Sequence, residues 1–367
     1  MGIVSFAEER AVRGVTRVSL LDALALGPAL WDDVVARSPA ASPFMSWAWH
    51  RAWADAAAPA DVDASEALLL RGAEGDLQAV FPVRPGRVTF RRVPLAALTW
   101  AVGDAGCPDH LDVPAIPEAD LDALVPALEA MPWRILILSN LAEVSPNADR
   151  LCEALARRGH VARREPLWGC PRLELPGSWE AYLATLTPSR RQTVRRKERS
   201  LSRRHQVTLT DYAGNAFETG WRHLVRLHEE RWSNAGAFRD PLAVSLQEGF
   251  ARALEAQGRL WLTTLDLDGV PASAWYGFAS GDTVYFYQSG RDPKWEGESV
   301  GLVMMGSMIR RAIERGYRWF DFLRGEDSYK THWTGTQRKT GEIVVFRSGW
   351  RGRWVRALDW AAGITHG

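Results

Sequence analysis

Cysteine is scarce in this sequence. Only Cys107, Cys152 and Cys170 occur in 367 residues. Their number is odd, they are far apart, and no two have the spacing of metal ligands, which speaks against a disulfide scaffold and against a cysteine-based metal site. This usage is typical of a reduced, cytoplasmic protein.

The sequence also lacks long apolar runs and an excess of charge of one sign. No run reaches the roughly 20 residues that span a membrane, and charged side chains interrupt the first twenty residues, unlike a signal peptide. The formal net charge is +1, so no global field favours nucleic acid or a membrane. We therefore expect a cytoplasmic chain with no transmembrane segment and no DNA partner, free or peripheral at the inner face of the membrane.

Several familiar catalytic patterns are missing too. The sequence has no Ser-His-Asp order, no Walker-type phosphate loop and no cluster of metal ligands, so we expect no metal. Tryptophan, by contrast, is abundant, with eighteen residues shared between the two halves of the chain. Some of these side chains will be packed in a core because each buries a large area, and others are candidates for lining a groove that binds an extended or sugar-containing ligand.

The order of predicted elements occurs twice. In the first half, two helices (21–36 and 46–57) precede an antiparallel meander with turns at Glu74-Gly75-Asp76 and Pro85-Gly86, and then a helix, a strand and a helix follow. The second half repeats this order after a strand near 171–175. The length also suits two domains, which we place at residues 1–168 and 169–367, each a mixed, mostly antiparallel sheet flanked by helices.

The stretch Trp319–Trp333 concentrates chemistry after a short strand. Residues 319–323 are apolar and aromatic, Gly325 ends the strand, and acids, a phenol, an amine and an imidazole follow within a few residues. α/β sheets commonly place functional groups at the carboxyl ends of strands. An ordinary solvated loop is the alternative interpretation of such a charged turn.

Two predicted helices have features that suit anions. One begins at Ser299-Val300-Gly301-Leu302, where free backbone N–H groups and a small residue allow a phosphate to approach. The other, 189–204, carries eight cations and only Glu198 as an acid, with Val194 and Leu201 as its apolar seam. We expect an anionic partner at Arg190–Arg204, such as a nucleotide sugar, a lipid-linked diphosphate, a membrane surface or tRNA, unless the helix is simply solvated.

Several motifs together resemble a known family. They are Asp-Phe-Leu-Arg-Gly-Glu followed by Tyr-Lys and Trp at 321–333, Ser189-Arg190-Arg191 through Arg204, Leu227–Trp232, and Glu298–Leu302, in which Val300 stands where the family usually has proline. They are similar to acyltransferases of the cellulose- and exopolysaccharide-biosynthesis CelD/BcsL type. These belong to the GNAT superfamily of acyl-CoA N-acyltransferases and are related to the Fem peptidoglycan aminoacyltransferases.

The resemblance implies two tandem GNAT-like domains and an acyl-CoA, such as acetyl-CoA, as donor. In the GNAT fold the strand before the Ser299 helix pairs with pantetheine and the helix start holds the pyrophosphate. The donor-binding candidates are Tyr287, Gln288, Ser289, Ser299, Val300, Gly301 and Leu302.

Catalytic and acceptor-binding residues follow from the same resemblance and from acyl-transfer chemistry. Lys330 is expected to stabilise the oxyanion, Tyr329 to protonate the leaving thiolate, and Asp321 or Glu326 to take the acceptor's proton. Asp321 has the alternative of bracing Arg324. The acceptor-binding candidates are His228, Arg231, Trp232, Trp275, Arg324 and Trp333.

The sequence thus predicts transfer of an acyl group to an amine or hydroxyl on a sugar or lipid-linked sugar of an exopolysaccharide or envelope precursor. Two other classes of function stay open. One is a Fem-like enzyme that uses aminoacyl-tRNA, which the basic helix favours. The other is a non-catalytic glycan-binding protein in which the tryptophans form the ligand surface.

Overall fold

Strands and helices alternate through residues 14–232, 236–325 and 327–349, which the computed structural model describes. The strands are β1 Val15–Ser19, β2 Glu66–Arg71, β3 Leu77–Phe90, β4 Val93–Trp100, β5 Ile135–Leu141, β6 Val161–Glu174, β7 Val207–Asp211, β8 Leu260–Leu267, β9 Val270–Ser280, β10 Thr283–Arg291, β11 Trp319–Asp321 and β12 Gln337–Phe346. The helices are α1 Leu20–Leu24, α2 Gly27–Arg37, α3 Trp47–Ala56, α4 Pro59–Asp63, α5 Leu124–Glu129, α6 Pro146–Arg157, α7 Trp179–Thr185, α8 Pro188–Arg204, α9 Phe217–Trp232, α10 Pro241–Ala256, α11 Val300–Glu314 and α12 Ser328–Thr331.

The chain divides into two units. The first comprises residues up to Leu167 and those from Lys339 onward, and the second runs from Trp168 to Arg338. The sequence-based division lay one residue later and assigned everything after it to the second domain. The difference arises because β12 pairs with β5 of the first unit. The predicted helix at 350–361 lies outside the described residues.

The first unit is a mixed sheet in the order β1-β2-β3-β4-β5-β12. Its pairs are antiparallel except for β4 with β5, which run parallel. The meander predicted for this region is confirmed, but the turn predicted at Pro85-Gly86 is wrong. Strand β3 continues through both residues and turns only at Arg91 and Arg92, whose φ angles are 48° and 68°.

Pro85 is tolerated inside β3 because the pairing with β2 ends before it. Strand β2 pairs with β3 only as far as Val83, whereas β4 pairs with it to the end of the hairpin. Beyond Val83 the β2 side of β3 is therefore an edge, where a residue without an N–H group is acceptable. Sequence reasoning took the Pro-Gly pair as a turn because it had no knowledge of this partial pairing.

The second unit repeats the same succession of strands. Its order is β7-β8-β9-β10-β11 followed by the end of β6. Strands β7 to β10 form an antiparallel meander, β10 and β11 run parallel, and β11 is antiparallel to β6. The doubled order of elements predicted from the sequence is therefore present, with a mixed sheet in each unit.

One face of the second sheet carries the core that supports the site. Helix α11 packs there with Met304, Met308 and Ile309 buried against Trp275 and Phe320 of the strands. Helix α8 joins this layer through Val194 and Leu201, its two buried residues, as the sequence predicted. Within the described ranges, no helix combines the length and apolar character that crossing a membrane requires.

Candidate active site

A cleft of about 490 Å³ opens in the second unit. It lies among the end of β10, the start of α11 and the residues around α12. Its lining residues are Arg231, Ser273, Trp275, Ser289, Gly290, Arg291, Glu296, Ser299, Gly301, Leu302, Met304, Met305, Ser328, Tyr329, His332 and Trp333. The cleft therefore collects residues from several of the motifs that the sequence singled out.

The cleft begins where β10 and β11 part. The two strands pair only at Thr283–Tyr285 of β10, opposite Trp319–Asp321 of β11. Strand β10 continues to Arg291 and remains paired with β9 on its other side. The β11-facing edge of Ser289, Gly290 and Arg291 is thus released from β11, and backbone groups on such an edge can pair with a ligand instead.

A β-bulge decides which side chains of β10 reach the cleft. The register with β9 shifts between Phe286 and Gln288, so the usual alternation moves by one residue. Phe286 and Ser289 therefore share the face of Trp275, whereas Tyr287 bonds to Gln247 of α10 and Gln288 bonds to His228. Of the predicted donor-binding residues on β10, the structure brings Ser289 to the cleft and places Tyr287 and Gln288 elsewhere.

The start of α11 forms the opposite wall. Ser299 caps the helix in the left-handed conformation with φ of 59°, and its side chain makes no capping hydrogen bond. A methyl group added at Gly301 would fit without a clash, since the nearest heavy atom, Cδ of Arg291, would lie at an ordinary contact distance of 3.7 Å. The first N–H groups of this fifteen-residue helix and its dipole favour an anion. Ser299, Gly301 and Leu302 line the cleft, whereas Val300 is fully buried.

Tyr329 projects into the cleft from α12. Its ring meets Phe286 edge-on at 6.3 Å between centroids, and the Arg231 guanidinium lies 4.9 Å from its centre. Burial raises the pKa of Tyr329 to about 12, although the Arg231 cation opposes the shift. The phenol therefore stays protonated at neutral pH and is available as a proton donor.

Lys330, the next residue, does not point into the cleft. Its side chain is buried and its ammonium donates to the backbone carbonyl of Arg324. It is not among the described residues that line the cleft. Adjacent positions in a helical turn point about 100° apart, which explains why Tyr329 reaches the cleft and Lys330 instead ties the 324–330 turn together.

Of the two predicted acids, Asp321 and Glu326, only Asp321 lies among the described residues. Asp321 is fully buried, accepts from the backbone N–H of Leu323 at 2.8 Å and pairs with Arg338. The bond to the Leu323 N–H braces the left-handed backbone there, whose φ is 56°. Whether Asp321 also braces Arg324 stays a sequence-based prediction. Glu326 lies outside the described residues.

Among the acceptor-binding candidates, Arg231, Trp275 and Trp333 line the cleft. His228 is buried beside Phe238, and burial lowers its pKa to about 4, so it is a packed neutral imidazole. Trp232 stacks on Arg231 at 4.4 Å. Neither Trp232 nor Arg324 is among the described lining residues.

Sequence reasoning missed several lining residues. They are Ser273, Gly290, Arg291, Glu296, Met304, Met305, Ser328 and His332. Met304 and Met305 were accessible from helical spacing, since they follow Gly301 by three and four residues. Ser273 was not, because its place follows from the β9–β10 register, in which it faces Arg291.

His332 combines several features of a proton acceptor. Its Nε2 is buried without a hydrogen-bond partner among the described residues. Burial and the nearby Arg190 lower its pKa below the usual value, so the imidazole is neutral near pH 7. No described group of three or more His, Cys, Asp or Glu side chains is arranged to hold a metal ion.

The basic helix α8 flanks this site. Arg190 approaches the Thr331 carbonyl, Arg204 pairs with Glu298, and Glu198 pairs with Arg310 at 3.0 Å. Arg196, Arg199 and Arg203 are exposed and form no ion pair with any described residue. Their spacing of three and four residues puts them on one face of the helix.

Comparison with known proteins bears on this geometry. Residues 188–331 match the acetyltransferase (GNAT) domain. The match starts at α8 and ends at α12, so it covers the diverging strands, the α11 start and Tyr329. This part of the second unit is thus similar to a GNAT-type acetyltransferase domain. No protein of curated function matches the chain in sequence.

Solved structures agree on the fold. FemX is similar with a TM-score of 0.56 at 13% identity, over 87% of this chain and 95% of its own. The C-terminal domain of a putative lysylphosphatidylglycerol synthetase from Agrobacterium fabrum gives 0.54 at 13%, over 92% and 96%. L-PGS from Bacillus licheniformis gives 0.51 at 11%, over 88% and 93%. The predicted GNAT-like, mixed α/β fold is confirmed.

Proposed function

We propose that the second unit transfers an acyl group from a coenzyme A thioester to an amine or hydroxyl on a sugar of an exopolysaccharide or envelope precursor. The observation that carries the proposal is the cleft itself. It joins an unpaired edge of β10, which suits the amides of pantetheine, to the start of α11, which suits a pyrophosphate. A protonated phenol stands in the same cleft.

The residues of the cleft support a simple sequence of proton movements. The acceptor's lone pair attacks the thioester carbonyl, and the C–S bond of the tetrahedral intermediate then breaks. Tyr329 gives its proton to the departing thiolate, and His332 takes the proton that the acceptor loses. Because Lys330 is bonded to the Arg324 carbonyl, we assign it the role of holding this turn rather than of contacting the oxyanion. Glu326 stays a sequence-based prediction for the base.

Titration calorimetry with coenzyme A tests the donor site. Gly301→Asp places a carboxylate where phosphate would bind, and its Cβ fits there without a clash. We expect coenzyme A affinity to fall about 10- to 100-fold through charge repulsion. Gly301→Ala is the matched control and should bind nearly normally. Unchanged affinity in a folded Gly301→Asp protein would remove the α11 start from the donor site.

A second candidate function is aminoacyl transfer from tRNA. The exposed stripe of Arg196, Arg199 and Arg203 on α8 favours it, since exposed cations on one face suit a phosphate backbone. Retention of uncharged tRNA on filters, with the three residues changed to glutamate and Arg222→Glu as control, tests this candidate. Retention that is lost in the triple variant only would support tRNA, and no retention by the wild-type protein would dismiss it.

The glycan-binding alternative has little structural support. Trp168 is 47% exposed and is the only tryptophan among the described residues that is exposed to solvent. Most others are packed in a core or against one. A tryptophan platform for sugar rings would need several exposed indoles.

A further inference from the structure

Arg231 is an unusual cation for its surroundings. It lies on the last turn of α9, lines the cleft, and stacks between the rings of Trp232 and Tyr329 at 4.4 and 4.9 Å. No carboxylate of the described residues forms an ion pair with it, and Asp327 acts on it only through longer-range attraction. This half-buried guanidinium has the Ser289 hydroxyl and the Tyr329 phenol as partners but no carboxylate, so a ligand could supply the negative charge that it lacks.

The neighbours of Arg231 are also hydrogen-bond donors. Its guanidinium donates to Ser289 Oγ at 2.8 Å, which leaves the serine hydroxyl proton free to point outward. Trp275 lies opposite Ser289 in the β9–β10 pairing, so their side chains share one face of the sheet. The Trp275 indole Nε1 is fully buried and has no acceptor among the described residues. Arg231, Ser289 and Trp275, the donor cluster, all line the same cleft and all carry N–H or O–H groups.

The position of the donor cluster connects it with the acceptor. Arg231 touches Tyr329, the proposed proton donor, so the cluster adjoins the place where the acyl group would change hands. The start of α11, which is assigned to the pyrophosphate, has its own cation in Arg291. Arg291 is moreover partly neutralised by Glu296 at 3.3 Å, whereas Arg231 is not neutralised by any described carboxylate.

We propose that Arg231, Ser289 and Trp275 bind an anionic group of the acceptor, a carboxylate or a phosphate. The acceptor is then an anionic amine or alcohol rather than a neutral sugar. This inference rests on the proposed function, because it names the substrate class of the same cleft. A planar guanidinium matches both oxyanions in two-point contacts, and the indole N–H supplies a further donor.

Three amino sugars test the inference directly. Glucosamine is the neutral-ring reference, glucosamine 6-phosphate adds a phosphate, and muramic acid adds a carboxylate. Each is titrated calorimetrically into the protein saturated with coenzyme A, so that the α11 start is already filled. The variants are Arg231→Gln, Arg231→Lys and, as a matched control on the same helix, Arg226→Gln, whose guanidinium pairs with Glu230 at the surface.

In the wild type and in Arg226→Gln, at least one anionic probe should bind about 10- to 100-fold more tightly than glucosamine. Which probe does so distinguishes carboxylate from phosphate. Arg231→Gln should abolish the preference and Arg231→Lys should keep part of it. The inference is overturned if neither anionic probe exceeds glucosamine in the wild type, including the case of no binding, or if Arg231→Gln retains the preference. Coenzyme A affinity, measured in the same proteins, reports separately on the proposed function.

Discussion

Tyr329 and Lys330 are neighbours in sequence with different surroundings. The phenol stands in the cleft against Phe286 and Arg231, whereas the ammonium is bonded to the Arg324 carbonyl. Residue types alone favoured lysine as the main catalytic group, because a cation stabilises an oxyanion. In the structure Tyr329 reaches the cleft and Lys330 does not, so we expect the phenol to be the main catalytic group. The two residues lead to separate predictions.

Tyr329→Phe should lower kcat by about 10²-fold or more, the usual contribution of a general acid. Donor affinity should change little, because the ring remains. Since burial raises the Tyr329 pKa to about 12, the phenol keeps its proton up to pH 10, and the wild type should lose no turnover through Tyr329 below that pH. Steady-state kinetics from pH 6 to 10 measures both effects, with Tyr317→Phe as control. A Tyr329→Phe enzyme with normal kcat would refute the role in proton transfer.

Lys330→Met should act mainly on stability. Removing the ammonium leaves the Arg324 carbonyl without this donor, which typically costs about 1–3 kcal/mol. For a unit of this size we expect Tm to fall by roughly 2–10 °C. Melting curves and kcat are measured on the same samples. A folded variant with normal Tm whose kcat is reduced at least about 100-fold would instead restore the lysine to the oxyanion.

At the scale of elements, the cleft depends on close contact between β10 and α9. A methyl group at Gly290 would lie 2.2 Å from the His228 backbone nitrogen and 2.3 Å from the Leu227 carbonyl carbon. Neither is a flexible side-chain end, so the strand and helix must separate to admit it. This contact holds Arg231, one turn further on, against Ser289.

Gly290→Ala should therefore destabilise the protein by about 1–3 kcal/mol, as overpacking does, and weaken coenzyme A binding. Gly297→Ala is the matched control, since no heavy atom lies within 4 Å of its added methyl group. Denaturant unfolding and calorimetry check the pair. Equal stability of the two variants would show that the β10–α9 contact is adaptable and does not shape the cleft.

The elements also show where sequence reasoning succeeds and where it stops. The seam of α8, Val194 and Leu201, was predictable because helical spacing alone decides it. The bulge at Phe286/Gln288 was not, although it determines that Ser289 rather than Gln288 faces the cleft. An alternating strand gives no signal of a one-residue shift, since the shift depends on the partner strand.

At the scale of the whole molecule, the doubled order of elements was predictable, because turns and periodicity repeat along the chain. The partners of β6 and β12 were not predictable. β12 follows β11 in sequence but pairs with β5, and β6 follows β5 but pairs with β11. Both strands are long-range partners, and local pattern carries no information about which edge a strand joins.

Each unit also contains a buried histidine whose pKa is strongly lowered. Burial lowers the pKa of His50 in the first unit and of His228 in the second to about 4. In the unfolded chain these groups titrate near 6.5. The folded state therefore binds fewer protons between those values, and the stability that neutral burial gives is present above pH 6.5 and lost as pH falls towards 4.

We expect each histidine to remove on the order of 3 kcal/mol of unfolding free energy between pH 7 and 4. His50→Gln and His228→Gln should each be less stable at pH 7 but show a flatter acid limb. Urea unfolding at a series of pH values measures this. Acid limbs as steep as that of the wild type in both variants would contradict the assignment.

The central claim is that the cleft between the β10 end and the α11 start binds the acyl donor. Amide hydrogen exchange over the whole chain, with and without saturating coenzyme A, tests it most directly. We predict slowed exchange in peptides covering 288–291 and 299–303, little change in the first unit, and loss of this protection in Gly301→Asp. Coenzyme A that binds without protecting either segment, or that protects only segments of the first unit, would contradict the account.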